Sequence, residues 1–255
     1  MTESRKGLER SSKVTCRDMD GLMRLLGHDD DGLRPSESLL RRINAGILED
    51  LRPIPPLVPS RILLGGCAIV FLSVVAVGTL LLGTNGWGAL SLLQRIVVFL
   101  TLSVSAVLLA VSVVRQMVPG SKHIFAPAVL LVSILIALMM VIAATFRSQP
   151  EGAFLASGVM CMKNGLTYSI PAAFLLWLIL RRGALLYPKI TGAVAGGLAG
   201  LAGLSVLEMN CPNLNLLHIL VWHAGVVVIG SGGGALLGAA VESFERWHKQ
   251  VRFSL

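Results

Sequence analysis

The chain has 255 residues, 54% hydrophobic and only 14% charged, with a net charge of +8 and a mean hydropathy of +0.76. This is the composition of a membrane protein rather than of a soluble globule. The basic excess calls for no nucleic-acid ligand, because it is concentrated in the segments expected on the cytoplasmic side of a membrane.

Ten of the fourteen acids and eleven of the twenty-two Lys/Arg precede residue 62. Residues 1–14 are polar and aperiodic, as in a disordered segment. Met19, Leu22, Met23, Leu25 and Leu26 then form a short apolar stripe, broken by His28-Asp29-Asp30-Asp31-Gly32. A second amphipathic helix is predicted over 36–51, with Ser36 as its N-cap. Leu39, Leu40, Ile43, Ile47 and Leu51 recur at helical spacing, and Glu37, Arg41, Arg42, Glu49 and Asp50 take the other side. So short an arm cannot bury two apolar faces on a core of its own. Such helices either lie on a membrane surface or fold on a cytoplasmic partner. The mixed charge of the polar face favours a protein partner, which makes the five stripe residues the candidate partner-binding set. Residues 52–59, RPIPPLVP, form a stiff extended spacer. No signal peptide is expected, since the first long apolar run begins only at Ile62.

Six membrane spans are expected, over 62–83, 96–118, 124–146, 166–180, 190–207 and 216–240. The fourth is short and contains Pro171, which predicts a kink; it either extends back through Cys161 or sits where protein packs around it. The 84–93 loop is uncharged, with Trp87 as an interfacial aromatic, and 118–122 reads as a tight turn. Gly192, Gly196 and Gly200 in the fifth span, and Gly230, Gly234 and Gly238 in the sixth, recur every fourth residue. That spacing allows close approach of membrane helices, and a short connection makes these two spans natural partners. The segments assigned to the inner side carry nineteen Lys/Arg against three on the other side, Arg95, Arg147 and Lys163. Both termini are therefore expected in the cytoplasm. The expected architecture is an all-α polytopic membrane protein, with a helical arm over 1–60, a six-helix bundle over 61–242 and a basic tail over 243–255.

No ionisable residue falls near the middle of a span, which counts against a coupled transporter or pump. Walker, HExxH, GxSxG and kinase motifs are all missing, and no enzyme activity is expected. Cys16 stands alone in the arm, and Cys67 lies within the first span as a small apolar side chain. Cys161 and Cys211 share the outer side, where they can form a disulfide or act as a thiol pair that binds soft metals or is oxidised. Glu208, His218 and His223 stand near Cys211 in a polar stretch between two apolar runs. Cys161, Cys211, Glu208 and His218 form the candidate metal cluster. His218 and Trp222, four apart, share a helix face, and His223 is turned well off it. The histidines either bond between helices or act as ligands. No resident cofactor is expected beyond transient binding of a soft metal at the cysteine pair.

From Cys161 onward the chain carries Ile170-Pro171-Ala172-Ala173, Leu180-Arg181-Arg182-Gly183-Ala184, the span GAVAGGLAGLAG after Pro188, then Asn210-Cys211-Pro212-Asn213 and Trp222. This order resembles the NrsF family of six-span bacterial inner-membrane proteins, negative regulators of extracytoplasmic-function sigma factors. The resemblance implies a membrane-bound anti-sigma factor that sequesters such a sigma factor, contacts membrane lipid and no nucleic acid directly, and keeps both termini in the cytoplasm. It also implies that Cys161 and Cys211 correspond to the family's outer-side cysteines, which are implicated in sensing metal or oxidative stress. Acidic residues are usual after the second cysteine; here Asn213 and Asn215 replace them and His218 and His223 follow. The arm has no HxxxCxxC signature of zinc-type anti-sigma domains. The competing readings are a small-molecule transporter or channel component, and a structural membrane protein.

Overall fold

The computed structural model describes residues 37, 41, 42, 44, 59–118, 126–148, 154–181, 183 and 187–253, with backbone alone at 245 and 248–253. The chain divides into two units, 1–56 and 57–255. In the first, Glu37, Arg41, Arg42 and Asn44 are helical and exposed, and Glu37 pairs with Arg41 at 3.5 Å one turn on. The stripe residues Leu39, Leu40, Ile43, Ile47 and Leu51 lie outside the described residues, as do the 18–26 stripe and the 119–122 turn.

The second unit is helical, and no strand occurs among the described residues. Its elements are α1 (Ser60–Leu82), the short α2 (Asn85–Ala89), α3 (Leu92–Met117), α4 (Pro127–Thr145), α5 (Phe154–Leu180) and α6 (Pro188–Asn210). After the loop 211–215 come α7 (Leu216–His218), a π turn (Ile219–His223) and α8 (Ala224–Phe253), continuous with one another. Residue chemistry sets several of these boundaries. Gly83 ends α1 at φ 89°, a left-handed conformation that a side chain would strain. The oxygen of Ser91 accepts from Gln94 N–H while the Gln94 side chain accepts from Ser91 N–H, so a capping box starts α3 four residues before the predicted run. Pro127 and Pro188 open α4 and α6 in the first turn, where proline loses no helical hydrogen bond.

Among the described residues, five helical stretches are long and apolar enough to cross a membrane: α1, α3, α4, α6 and Leu216–Phe244. α5 does extend back through Cys161, but Lys163, Asn164, Thr167, Tyr168 and Ser169 dilute its first half and it falls outside these five. The 84–93 loop holds α2, and the last helix runs on through most of the expected 243–255 tail. Large apolar side chains face outward along the length of the bundle, among them Leu80, Leu100, Ile136, Ile170 and Leu236. A belt of that extent needs lipid or protein against it.

α6 is the axis. In its most apolar stretch 83% is buried, against 22–44% for the other four candidate spans. α1, α3, α4, α5 and α8 all pack on it. Its glycines meet those of α8 through backbone alone. A Cβ on Gly192 would stand 2.2 Å from the carbonyl oxygen of Gly234, one on Gly196 2.1 Å from that of Gly230, and one on Gly238 2.2 Å from that of Pro188. The partner number falls by four as the α6 number rises by four, so the two helices run antiparallel in a fixed register. At one end of the bundle Asn210 Nδ2 donates to Leu82 O, and Gln94 Nε2 donates to Thr145 O. At the other, Thr191 Oγ1 donates to Gln116 Oε1 and Gly183 abuts Met117. α5 lies along the same length, from Gly158 against Trp222 at one end to Ile179 against Gly66 toward the other.

This contact yields a prediction. Gly196→Ile forces a side chain into a backbone oxygen and is expected to destabilise the bundle by about 1–3 kcal/mol or more. Gly232→Ala, whose Cβ meets nothing within 4 Å, serves as the neutral control. Thermal aggregation in detergent reads the difference; equal midpoints for both variants would contradict the packing.

Candidate metal centre

The polar end of the bundle is built on a short, fully tied loop. α6 ends at Asn210, and Cys211 takes extended geometry with its N–H still bonded to Leu207 O at 2.7 Å. Asn213 Oδ1 accepts from Asn215 N–H at 3.1 Å, and Asn215 Oδ1 accepts from Leu217 N–H at 3.1 Å as the N-cap of α7. Leu216 N–H bonds Arg147 O at 3.1 Å, and Arg147 and Asn215 form an isolated parallel bridge. The two asparagines therefore give these oxygens to turn and cap, which holds Cys211 and His218 seven residues apart yet in contact.

The π turn aims the histidines. Five residues along a regular α-helix are about 140° around the axis from each other, at 3.6 residues per turn. On that geometry His223 points away from His218, as the sequence suggested. The turn from Ile219 to His223 instead has Ala224 N–H bonded to Ile219 O, five residues back, and this wider winding brings residues five apart one above the other. The two imidazoles meet edge to face, ring centroids 5.3 Å apart. Trp222 turns toward α5, stacks on Phe154 at 5.6 Å and occupies the space that a side chain on Gly158 would need.

Four side chains converge. Cys161 Sγ, from α5, lies 3.5 Å from Cys211 Sγ, and Cys211 Sγ lies 3.8 Å from His218 Nε2. With His223 included, one ligand atom from each of Cys161, Cys211, His218 and His223 falls within 4.8 Å of the others. Glu208 is not the fourth corner. It sits one step behind, its Oε1 2.9 Å from His223 Nδ1, both side chains buried. The other nitrogen of His223, Nε2, is buried and unsatisfied. The structure thus gathers three of the four expected cluster members, Cys161, Cys211 and His218, and exchanges Glu208 for His223. The sequence offers His223 as a possible ligand but turns it off the His218 face, because nothing in the composition of 218–223 announces a π turn.

Three of the four donors are buried and Cys161 is half-buried. His218 and His223 are 0% and 1% exposed and Cys211 8%, while α2 covers the loop: a Cβ on Gly86 would stand 2.6 Å from Cys211 O and 2.8 Å from Glu208 O. The Cys211 thiol is pushed up to about 12, first by its hydrogen bond with Cys161 and then by burial, with the neighbouring His223 pulling the other way. Two outcomes are open to such a pair of thiols. They can close a disulfide across a gap that small side-chain movements span, or they can give up protons to a soft cation that repays the buried charge.

A family model described as NrsF, negative regulator of sigma F, matches residues 48–244. No curated protein and no solved structure matches the chain.

Proposed function

Because the chain belongs to the NrsF family, we propose that it is a membrane-bound anti-sigma factor that holds an extracytoplasmic-function sigma factor inactive and releases it when an envelope signal reaches Cys161 and Cys211. The family match, which covers most of the chain, is the observation that carries this reading. In this reading α5 is the sixth crossing, since it lies beside the five apolar spans along their length. The positive-inside bias turns the cysteine end outward, in the inner membrane of a bacterium, and leaves the arm and tail inside. The role is regulatory rather than enzymatic, and the ionisable groups gather at one end of the bundle rather than at its midplane, where a coupled transporter would hold them.

The match begins at residue 48, so the stripe at 39–47 stands upstream of the part shared with the family. We assign that stripe, Leu39, Leu40, Ile43 and Ile47 with Leu51, as the docking face for the sigma factor, on its own apolar periodicity. The test is purification of the full chain from membranes of its source cells together with an extracytoplasmic-function sigma factor. The expected result is one sigma factor per chain and a silent reporter; absence of both overturns the reading.

Orientation has its own test. A membrane-impermeant thiol reagent is expected to label Leu155→Cys in intact cells, and Gly120→Cys only after permeabilisation. Labelling in the opposite sense reverses the assigned sides.

A further inference from the structure

We infer that Cys161, Cys211, His218 and His223 form a four-coordinate site for a divalent cation of the zinc type, oriented from behind by Glu208. An ion held by thiolate and imidazole at about 2.0–2.3 Å requires donor atoms roughly 3.3–3.8 Å apart at the corners of a tetrahedron. The measured edges, 3.5 Å between the sulfurs and 3.8 Å from Cys211 to His218, already match that spacing, and the full set needs only a small contraction from 4.8 Å.

A disulfide would use the two sulfurs and give the imidazoles nothing to do. A cation uses all four groups, and it satisfies the buried Nε2 of His223. Glu208, bonded to Nδ1 of the same ring, fixes the tautomer that leaves Nε2 as the donor, the arrangement of carboxylate, histidine and metal found behind zinc sites. Two sulfurs and two nitrogens select a soft or borderline ion and leave no place for calcium or magnesium, which want oxygen. On binding, the two thiols release two protons to solvent, two metal–sulfur and two metal–nitrogen bonds form, and no electrons are transferred. Two thiolates and two neutral imidazoles then balance the dication, with three of the four donors buried. No open corner remains, so the site is one for holding an ion rather than for chemistry on a bound water. That the ion regulates sigma-factor release rests on the reading above; the site itself does not.

The test uses the purified full chain, reduced, in detergent, with Co2+ as probe and Zn2+ as competitor. Cys16→Ser and Cys67→Ser form the background and remove the other thiols. One Co2+ per chain is expected, with the intense visible bands of four-coordinate cobalt and a thiolate charge-transfer band, both lost when Zn2+ is added. X-ray absorption of the Zn2+-loaded protein is expected to show two sulfur and two nitrogen neighbours. Cys161→Ser, Cys211→Ser, His218→Gln and His223→Gln are each expected to lose the four-coordinate spectrum. Glu208→Gln, which keeps all four donors, is expected to retain the spectrum and bind roughly 10–100-fold more weakly. Its circular dichroism and elution volume must match those of the parent, which separates a lost orienting bond from a lost fold. Absence of stoichiometric Co2+ binding overturns the inference, and so does a spectrum that both histidine variants leave unchanged. Co-purification of sigma factor from the same preparations reads the regulatory role separately: cobalt bound as expected without sigma factor leaves the site standing and removes the function, and the converse removes only the site.

Discussion

Replacing Ile43 and Ile47 together with Asp is expected to abolish repression while the chain stays in the membrane at its normal level. On a wheel of 100° per residue, positions 40, 43 and 47 fall within about 60° of one another, and Glu37, Arg41 and Asn44 are centred about a quarter of a turn from them. Glu37, Arg41 and Asn44 are helical and exposed. Two carboxylates on the apolar stripe would each have to be desolvated against a partner. Buried anchors of this kind cost about 2 kcal/mol or more apiece when lost, so the pair weakens the complex by at least roughly a thousandfold. A clamp weakened that far no longer competes with RNA polymerase for the sigma factor, and the target promoters turn on without any signal. Both substitutions lie outside the unit that holds the bundle, residues 57–255. Reporter transcription together with immunoblotting of the membrane fraction decides the matter. Continued repression by a fully expressed double variant would move the docking face elsewhere.

Length and apolarity made most of the bundle legible. The first, second, third and fifth runs appear as helices within four residues of the expected bounds, the sixth starts where expected but runs thirteen residues further, and the glycine ladders of the fifth and sixth runs pair as their spacing suggested. Other features escaped for physical reasons. Ser91 and Gln94 are unremarkable letters until they bond each other and start α3 early. α2 is too short for any periodicity, yet it covers the cluster. The largest change is at 219–223, where one extra residue per turn rotates His223 into the site. The cost of a π turn is met by packing around it, Trp222 against Phe154 and His223 against Glu208, and such support is tertiary and leaves no local mark in sequence.

Cys161→Ser, Cys211→Ser and the double variant are expected to give one and the same result: repression that no envelope metal or oxidant relieves. Cys161 belongs to α5 and Cys211 to the end of α6, so a bound ion or a disulfide ties one helix to the other. Both helices are positioned to pass on a shift. α5 and α6 touch where Gly203 meets Ser169 Oγ and the Gly165 carbonyl, contacts too close to slide without displacing the whole helix. Toward its far end α5 packs Ile179 by Gly66 of α1, and Gly183 just beyond it abuts Met117 of α3; in the proposed reading this is the route by which a movement begun at the cysteines reaches the inner side. Taking a two-state bundle from about 1:99 to 99:1 requires that the signal favour one state by roughly 10⁴, or about 5.5 kcal/mol. Structural zinc sites yield apparent binding energies of about 10–16 kcal/mol, so differential binding at this cluster can supply the shift. In the proposed reading, the tie forms in the releasing state, and the thiols stay reduced and unligated in the repressing one. Since a tie needs both ends, losing one sulfur should cost as much as losing two, and the second substitution adds nothing. The measurement is promoter output with and without Zn2+, Cd2+ or an oxidant in the four genotypes, at matched protein levels. Single variants that each keep half the response, and sum in the double, would mean that the two cysteines act separately and that no shared switch joins α5 to α6.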